Sequence, residues 1–300
     1  MTLVPASPCP DVETMIEPPA LAADFAPTEL RRGALEALGC ADIERKCRMA
    51  TALHAAADRL PLEPDTELQT SAMLPGRPAT PRLIPPKEVA QRSPFTPEGR
   101  AALIHAICHI EFNAINLALD AVWRFAGMPR EFYLDWLRIA AEEAYHFGLL
   151  HGHLRRLPHP GRARPWDYGD FDAHDGLWIM CEKTAGDIVA RMALVPRTLE
   201  ARGLDATPLI QAKLRRVGTP DALQAIGLLD IILRDEVGHV AIGNRWYGWL
   251  CARAGLDPVP HYRMLTRRHA APRLRAPFNE AARLAAGFSR QELDYLNQAL

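Results

Sequence analysis

Apolar residues recur at three- and four-residue intervals through most of this 300-residue chain, which is the period of helices with one buried face. Prolines mark where such helices have room to run. Of the 26 prolines, 15 lie in the first 100 residues and only 7 between Pro129 and Pro220, so long helices belong to the middle of the chain. Four are predicted. The first spans about 97–126, with Thr96, Pro97 and Glu98 as N-cap, first turn and acidic start, and ends at Gly127. The second, about 129–156, opens with Pro129 at a first-turn position. The third, about 173–202, ends at Gly203 and is kinked or broken near Val195 by Pro196. A shorter helix at 206–217 leads into the fourth, about 220–254, ended by Gly255.

Outside this region the pattern weakens. Residues 1–27 read as a loose arm, and 28–60 as one or two helices. Residues 61–98 hold too many prolines for regular structure and read as an extended wrap or linker. The loop PHPGRARPWDYGDF parts the second helix from the third. Beyond Asp257 the chain reads as irregular and basic, with a short helix from Ser289 to Leu300. No β-hairpin pattern and no phosphate-cradling glycine loop occurs. The expected fold class is all-α: an N-terminal extension over 1–96, a four-helix bundle over 97–256 and a basic tail over 257–300.

Composition narrows the function classes. A formal net charge of −1 gives no bulk attraction to nucleic acid or membrane. The N-terminus lacks a basic start followed by an apolar run, and no stretch reads as a membrane span, so a cytoplasmic protein is expected. Cys9, Cys40, Cys47, Cys108, Cys181 and Cys251 form no C-x-x-C pair, which argues against a disulfide framework or zinc ribbon.

The candidate chemistry lies on the predicted helices. The second contains EEAYHF and the fourth DEVGHV, so each carries Glu-x-x-His: Glu143 with His146, and Glu236 with His239. Three residues apart on a helix places both side chains on one face. That face also carries Phe132, Trp136, Ile139 and Phe147 on the second helix and Leu229, Ile232 and Val240 on the fourth. A carboxylate in an apolar stripe costs several kcal/mol unless it is paired or holds a metal. Glu111 on the first helix, among Ile104, Ile107 and Cys108, and Glu182 on the third, with Trp178, Ala185, Val189 and Met192, stand in the same situation. Glu111 lies 16 residues before Gly127 and Glu143 14 after Pro129, so at ~1.5 Å per residue they meet at similar heights in an antiparallel pair.

One Glu from each of two helices plus Glu-x-x-His from each of the other two is the ligand set of ferritin-like di-iron and di-manganese bundles. Six metal ligands are therefore expected, Glu111, Glu143, His146, Glu182, Glu236 and His239, around two ions. Iron is the first choice and manganese the second, given hard oxygens and two imidazoles. Asp235 and Glu142, each just before a Glu-x-x-His, are placed to accept the second N–H of a ligand histidine across the bundle. His105 with His109, and His151 with His153, read as ordinary core or surface residues, and Tyr145 and Tyr247 as packing aromatics. His109-x-Glu111 lacks the downstream Pro-Cys-x-x-Cys of a zinc deaminase.

The runs LPGRPATPRLIPP, TPEGRAALIHAICHIEFNAI, AEEAYHFGLLHGHL, YGDFDAHDGLW, RMALVPRTLEARGLDATP, ILRDEVGHVAIGNRW and PFNEAARLAAGF resemble a ferritin-like family catalogued as domain of unknown function 455, over about residues 70–290. The resemblance implies a ferritin-like fold with a carboxylate-bridged di-metal site on the six residues named above. It implies no reaction. More distantly the arrangement is similar to the di-iron tRNA hydroxylases. Two positions depart from the family's usual pattern: an acid is expected where Asn116 stands and a His where Gly186 stands.

The expected function is an O2-activating di-metal oxidoreductase that hydroxylates or oxidises an organic substrate, a small molecule or modified nucleotide, with an external electron donor. A ferroxidase or iron-handling protein, and a metal-stabilised scaffold, are the alternatives. The proline-rich wrap and long tail favour the enzyme. Arg263, Arg267, Arg268, Arg273 and Arg275 gather in the tail, and a solvated surface is preferred there to a nucleic-acid patch.

Overall fold

The computed structural model describes residues 25–161 and 163–298. The arm at 1–24, Cys9 and Leu300 therefore lie outside the described residues. Among those described the chain is all-α, and the single strand-like pairing is an isolated parallel bridge between Leu83 and Ala173.

The elements run α1 (Leu30–Gly39), α2 (Ile43–Ala56), α3 (Pro97–Arg124), α4 (Arg130–Arg156), α5 (Gly176–Lys183), α6 (Ile188–Leu194), a π-helical turn (Val195–Glu200), α7 (Ala201–Val217), α8 (Pro220–Arg253), α9 (Pro258–Arg268), α10 (Glu280–Ala285) and α11 (Arg290–Gln298). α3 and α4 pack as one hairpin, α7 and α8 as another, and α4 lies against α8. α1 and α2 join the same hydrophobic core through Leu30, Leu38, Met49 and Leu53.

Local chemistry sets the helix ends. The Thr96 hydroxyl accepts from Gly99 N at 3.0 Å, Pro97 takes the first helical position and Glu98 faces the dipole. Pro129 stands one place earlier than expected, as the N-cap of α4. Gly127 adopts φ +72° in the tight α3–α4 connection and Gly218 φ +69° between α7 and α8, where a side chain would be strained.

The third predicted helix differs most. It is broken after Lys183, restarts when Asp187 caps α6 through Ala190 N at 2.9 Å, and widens into the π turn at Pro196. Proline has no N–H to give its helix, and a wider turn absorbs that defect. From there α7 runs straight through Gly203 and Pro208. Ala201 and Leu204 pack with Val240 and Phe288, and this tertiary packing overrides the local break expected at Gly203.

The wrap at 61–96 is extended and tied down. Arg31, buried, donates to Glu63 O, Pro64 O and Thr66 O in the wrap and to Trp123 O at the end of α3, at 2.6–3.1 Å. Ile84 N donates to Ala173 O at 2.9 Å, and Arg77 forms a salt bridge to Asp175 at 2.8 Å. The tail is more regular than expected: α9, α10 and α11 fold back, and α10 and α11 close a second core against α7 and α8. Contrary to the sequence expectation, α3 is long and apolar enough to cross a membrane, but 78% of that stretch is buried inside the protein, so the core accounts for its apolarity.

Candidate metal centre

Five of the six expected ligands converge. Glu111 on α3, Glu143 and His146 on α4, and Glu236 on α8 bring ligand atoms within 4.8 Å of one another. His239 joins them from α8. The helical register does the work: Glu143 and His146, like Glu236 and His239, sit three apart on one face, and all but Glu236 are essentially buried.

Glu143 stands at the middle. Its Oε2 lies 3.4 Å from His146 Nδ1 and its Oε1 2.9 Å from His239 Nδ1, the latter without hydrogen-bond alignment. The two imidazole rings are 5.8 Å apart. His146 Nδ1 is also 3.6 Å from Glu111 Oε2, and His239 Nδ1 3.8 Å from Glu236 Oε1.

The outer faces of both histidines are held across the bundle. His146 Nε2 lies 3.1 Å from Asp235 Oδ2, and His239 Nε2 lies 2.6 Å from Glu142 Oε2. An ionised carboxylate can only accept, so each Nε2 carries the hydrogen. That leaves Nδ1 of a neutral ring with its lone pair turned toward the carboxylates, the tautomer a metal requires.

Glu182 is not part of this group. It lies on the exposed side of α5, where its Oε1 accepts from Trp178 Nε1 at 3.0 Å. The break at residues 184–187 separates α5 from the segment that carries Glu200. Trp178, expected beside the ligands, packs instead near Arg77 of the wrap. The third helix contributes Glu200, at the end of the π turn, 8% exposed and with neither carboxylate oxygen partnered. Glu236, Glu143 and His239 are its charged neighbours.

A helix-height comparison finds Glu200 from the sequence. It lies 18 residues before Gly218, and Glu236 lies 16 after Pro220, so the two stand level in an antiparallel α7–α8 hairpin. Glu182 lies 36 before Gly218, far beyond the cluster.

Four carboxyls cannot all stay ionised in so small a buried volume without a counter-charge. Burial, then the Glu143 charge, raises the Glu111 carboxyl well above the usual range and raises Glu236 also. Burial, then Glu236 and Glu143, does the same to Glu200. Burial works against ionised Glu143 too, but His239 and His146 outweigh it and hold this carboxyl low. Burial alone would lower both imidazoles; the hydrogen bond to Asp235 and the neighbouring Glu111 and Glu143 carboxyls raise His146 instead, and Glu143 beside His239 raises that ring. The bond to His146 lowers Asp235 to about 2. Protons thus neutralise the group when no cation does.

The residues fit a metal. Glu111 Oε2, Glu143 Oε1, both Glu200 oxygens, Glu236 Oε2 and His239 Nδ1 are all buried without a hydrogen-bond partner, although buried polar groups are normally satisfied. Glu111, Glu143, His146 and Glu236 converge within 4.8 Å, and Glu236, Glu143 and His239 are the charged neighbours of Glu200. A buried Glu/His cluster that could hold a metal ion is the plain reading of this concentration.

The remaining candidates lie outside the cluster. His105 Nε2 accepts from Gly169 N at 2.9 Å, His109 Nδ1 lies 2.7 Å from the Tyr168 hydroxyl, and His151 Nε2 2.5 Å from Asp167; these three pin the loop between α4 and α5. His153 is buried near the end of α4, Tyr145 is exposed and the Tyr247 hydroxyl donates to Pro258 O. Asn116 accepts from buried Lys46 at 2.5 Å, and Gly186 lies in the α5–α6 turn with open space where a Cβ would stand. A groove of about 740 Å³, lined by Trp123, Phe125, Ile188 and Leu250, opens at the bundle end. Trp123 is 12 residues from Glu111 along α3, or ~18 Å, so this groove is separate from the cluster.

A family profile described as "Protein of unknown function (DUF455)" matches residues 39–294. An "Uncharacterized protein" of Haemophilus influenzae is 44% identical over 271 residues, covering 87% of this chain and 91% of the relative. No solved structure matches. The chain belongs to the DUF455 family.

Proposed function

We propose that this family member is a carboxylate-bridged di-metal protein on a ferritin-like bundle, and that it activates O2 to hydroxylate or oxidise an organic substrate. The observation that supports it is the set of unpartnered buried ligand atoms, contributed by four separate helical segments, around two outwardly tethered histidines.

In this reading Glu111 and His146 would hold one ion and Glu200 and His239 the other, with Glu143 and Glu236 available to both. Glu143 suits a bridging role because its two oxygens face different imidazoles. A pair of reduced iron ions, or manganese as the second choice, would supply two electrons for O2 reduction. The protein's part is positional. Asp235 and Glu142 fix the histidine tautomers and orientations, and the protonated Glu111, Glu200 and Glu236 release their protons as the cations arrive. Phe112 and Phe147, each next in sequence to a cluster residue, pack with Tyr168 in tilted and edge-on contacts at 5.5–6.3 Å between ring centres. An external electron donor and a cytoplasmic setting, with the five described cysteines reduced, complete the proposal.

The rival reading, a ferroxidase, draws on Glu142 and Asp235, whose side chains are 37% and 20% exposed and carry acidity from the ligands toward solvent. Arg138 and Arg234 lie against these acids at 3.8 and 2.9 Å. Their positive charge disfavours that face as a cation route, which supports the enzyme. Loading the protein with Fe(II) without air, then admitting O2 with excess Fe(II), separates the two. Uptake that stops near two ions per chain is expected, and continued uptake would sink the enzyme reading.

A further inference from the structure

Glu200 is the one ligand candidate that does not sit on a regular helix, so something must hold the π turn that presents it. Three consecutive residues of that turn are fixed from outside. Pro196 packs on Gly243 of α8, where an added Cβ would fall 2.5 Å from Pro196 Cβ and 2.7 Å from its Cγ. Gly243 is one turn beyond His239 and two beyond Glu236 on the same face. This contact therefore sets the height of the turn against the two α8 ligands.

Arg197 is 4% exposed and is held by the tail. Its guanidinium lies 4.7–5.2 Å from the ring centres of Tyr247, Tyr262 and Phe288, a cage contributed by α8, α9 and the segment before α11. Nη1 donates to Asn244 Oδ1 at 3.0 Å, and Nη2 donates to Glu292 Oε1 on α11. Asn244 in turn donates to Ala286 O at 2.6 Å. Thr198, next in line, donates to Ala193 O at 2.8 Å and meets the Tyr262 hydroxyl at 2.9 Å.

Glu292 is itself fixed. Its Oε2 accepts from Ser289 N at 2.7 Å and from the Ser289 hydroxyl at 2.9 Å, closing a capping box at the start of α11. One carboxylate thus starts the last helix and, through its other oxygen, anchors the turn that ends at Glu200.

We infer that Glu292 and Arg197 are positioning residues for the metal centre: the C-terminal helix, docked through this pair, locks the π turn so that Glu200 completes the position shared with His239. This rests on the two-ion reading above. The pair touches neither ligand set nor substrate and acts only through the geometry of the turn.

The test is titration of the full-length, metal-free protein with Co(II), followed by calorimetry and visible absorption, for wild type, Glu292→Gln and Gly243→Ala. Gln preserves the capping box but weakens the ion pair, so the fold is expected to survive. Wild type should bind two ions. Glu292→Gln should weaken one binding step by about 10–100-fold, the range for losing an outer partner of a metal site, change that ion's absorption band and leave the other step within about threefold. Gly243→Ala should weaken the same step. Equal weakening of both steps, or none in Glu292→Gln, would overturn the inference while leaving the two-ion reading intact. A wild type that binds fewer than two ions would overturn both.

Discussion

Replacing Glu200 by Gln should make the metal-free protein more stable and the metal-bound protein less so. In the folded chain without metal, burial and the neighbouring Glu236 and Glu143 raise this carboxyl well above its ordinary value, and its oxygens have no partner. In the unfolded chain it titrates near 4.3. A raised acid binds its proton more tightly in the folded state. Its contribution is therefore complete below the unfolded value and is lost as pH rises from there toward the folded value. While the folded form keeps the proton, each pH unit above the unfolded value removes about 1.4 kcal/mol. Gln resembles the protonated acid in shape and cannot ionise, so the variant should lose that slope. The assay is denaturant unfolding in chelator at pH 5.5 and 7.5, paired with Co(II) titration. At pH 7.5 metal-free Glu200→Gln should exceed wild type by ~1–3 kcal/mol and bind the second ion at least tenfold more weakly. A variant that is less stable at pH 7.5 without metal, or that takes up two ions as wild type does, would refute the placement of Glu200 in the cluster.

Two further substitutions probe separate parts of the argument. Glu182→Gln should leave metal stoichiometry and affinity unchanged, measured by the same titration, because Glu182 sits on the exposed side of α5 bonded to Trp178; loss of an ion would restore the continuous third helix expected from the sequence. Arg191→Met should lower the unfolding free energy by about 1–3 kcal/mol, because it takes from Asp120, 0% exposed, one of its two guanidinium partners and leaves it to Arg124 and Trp123; a near-neutral result in denaturant melts would show that Arg124 suffices.

The helices that could be read from the chain are those whose ends carry their own chemistry. Thr96-Pro97-Glu98, Gly127, Pro220 and Gly255 bracket α3 and α8 within three residues. The two Glu-x-x-His pairs were legible for the same reason, since three-residue spacing is a local property of one helix. What the sequence hid is settled between elements. Glu182 fits an apolar stripe as well as Glu200 does, and nothing within residues 173–202 reveals that the chain breaks at 184–187 or that Pro196 seats on Gly243. Likewise α9, through Tyr262 and Leu265, gains its order by packing on α6 and α8, and α10, with Phe288 beside it, by packing on α7 and α8, partners lying upstream in the chain.

The reciprocal tether between α4 and α8 gives this centre a built-in register check. Glu142 on α4 bonds the histidine of α8, and Asp235 on α8 bonds the histidine of α4. In each pair the acid is the residue just before its own helix's Glu-x-x-His, so it lies four residues from its own histidine, on the flank of that face, and reaches across to the ring of the other helix. A slip of α8 by one turn along α4 moves it ~5.4 Å and breaks both bonds together, leaving two buried imidazoles without acceptors at a cost of about 1–3 kcal/mol each. The same slip would separate Glu143 from His239. The acids that orient the ligands thus also select the packing in which the ligands meet, so the site and the bundle register are specified by one set of contacts.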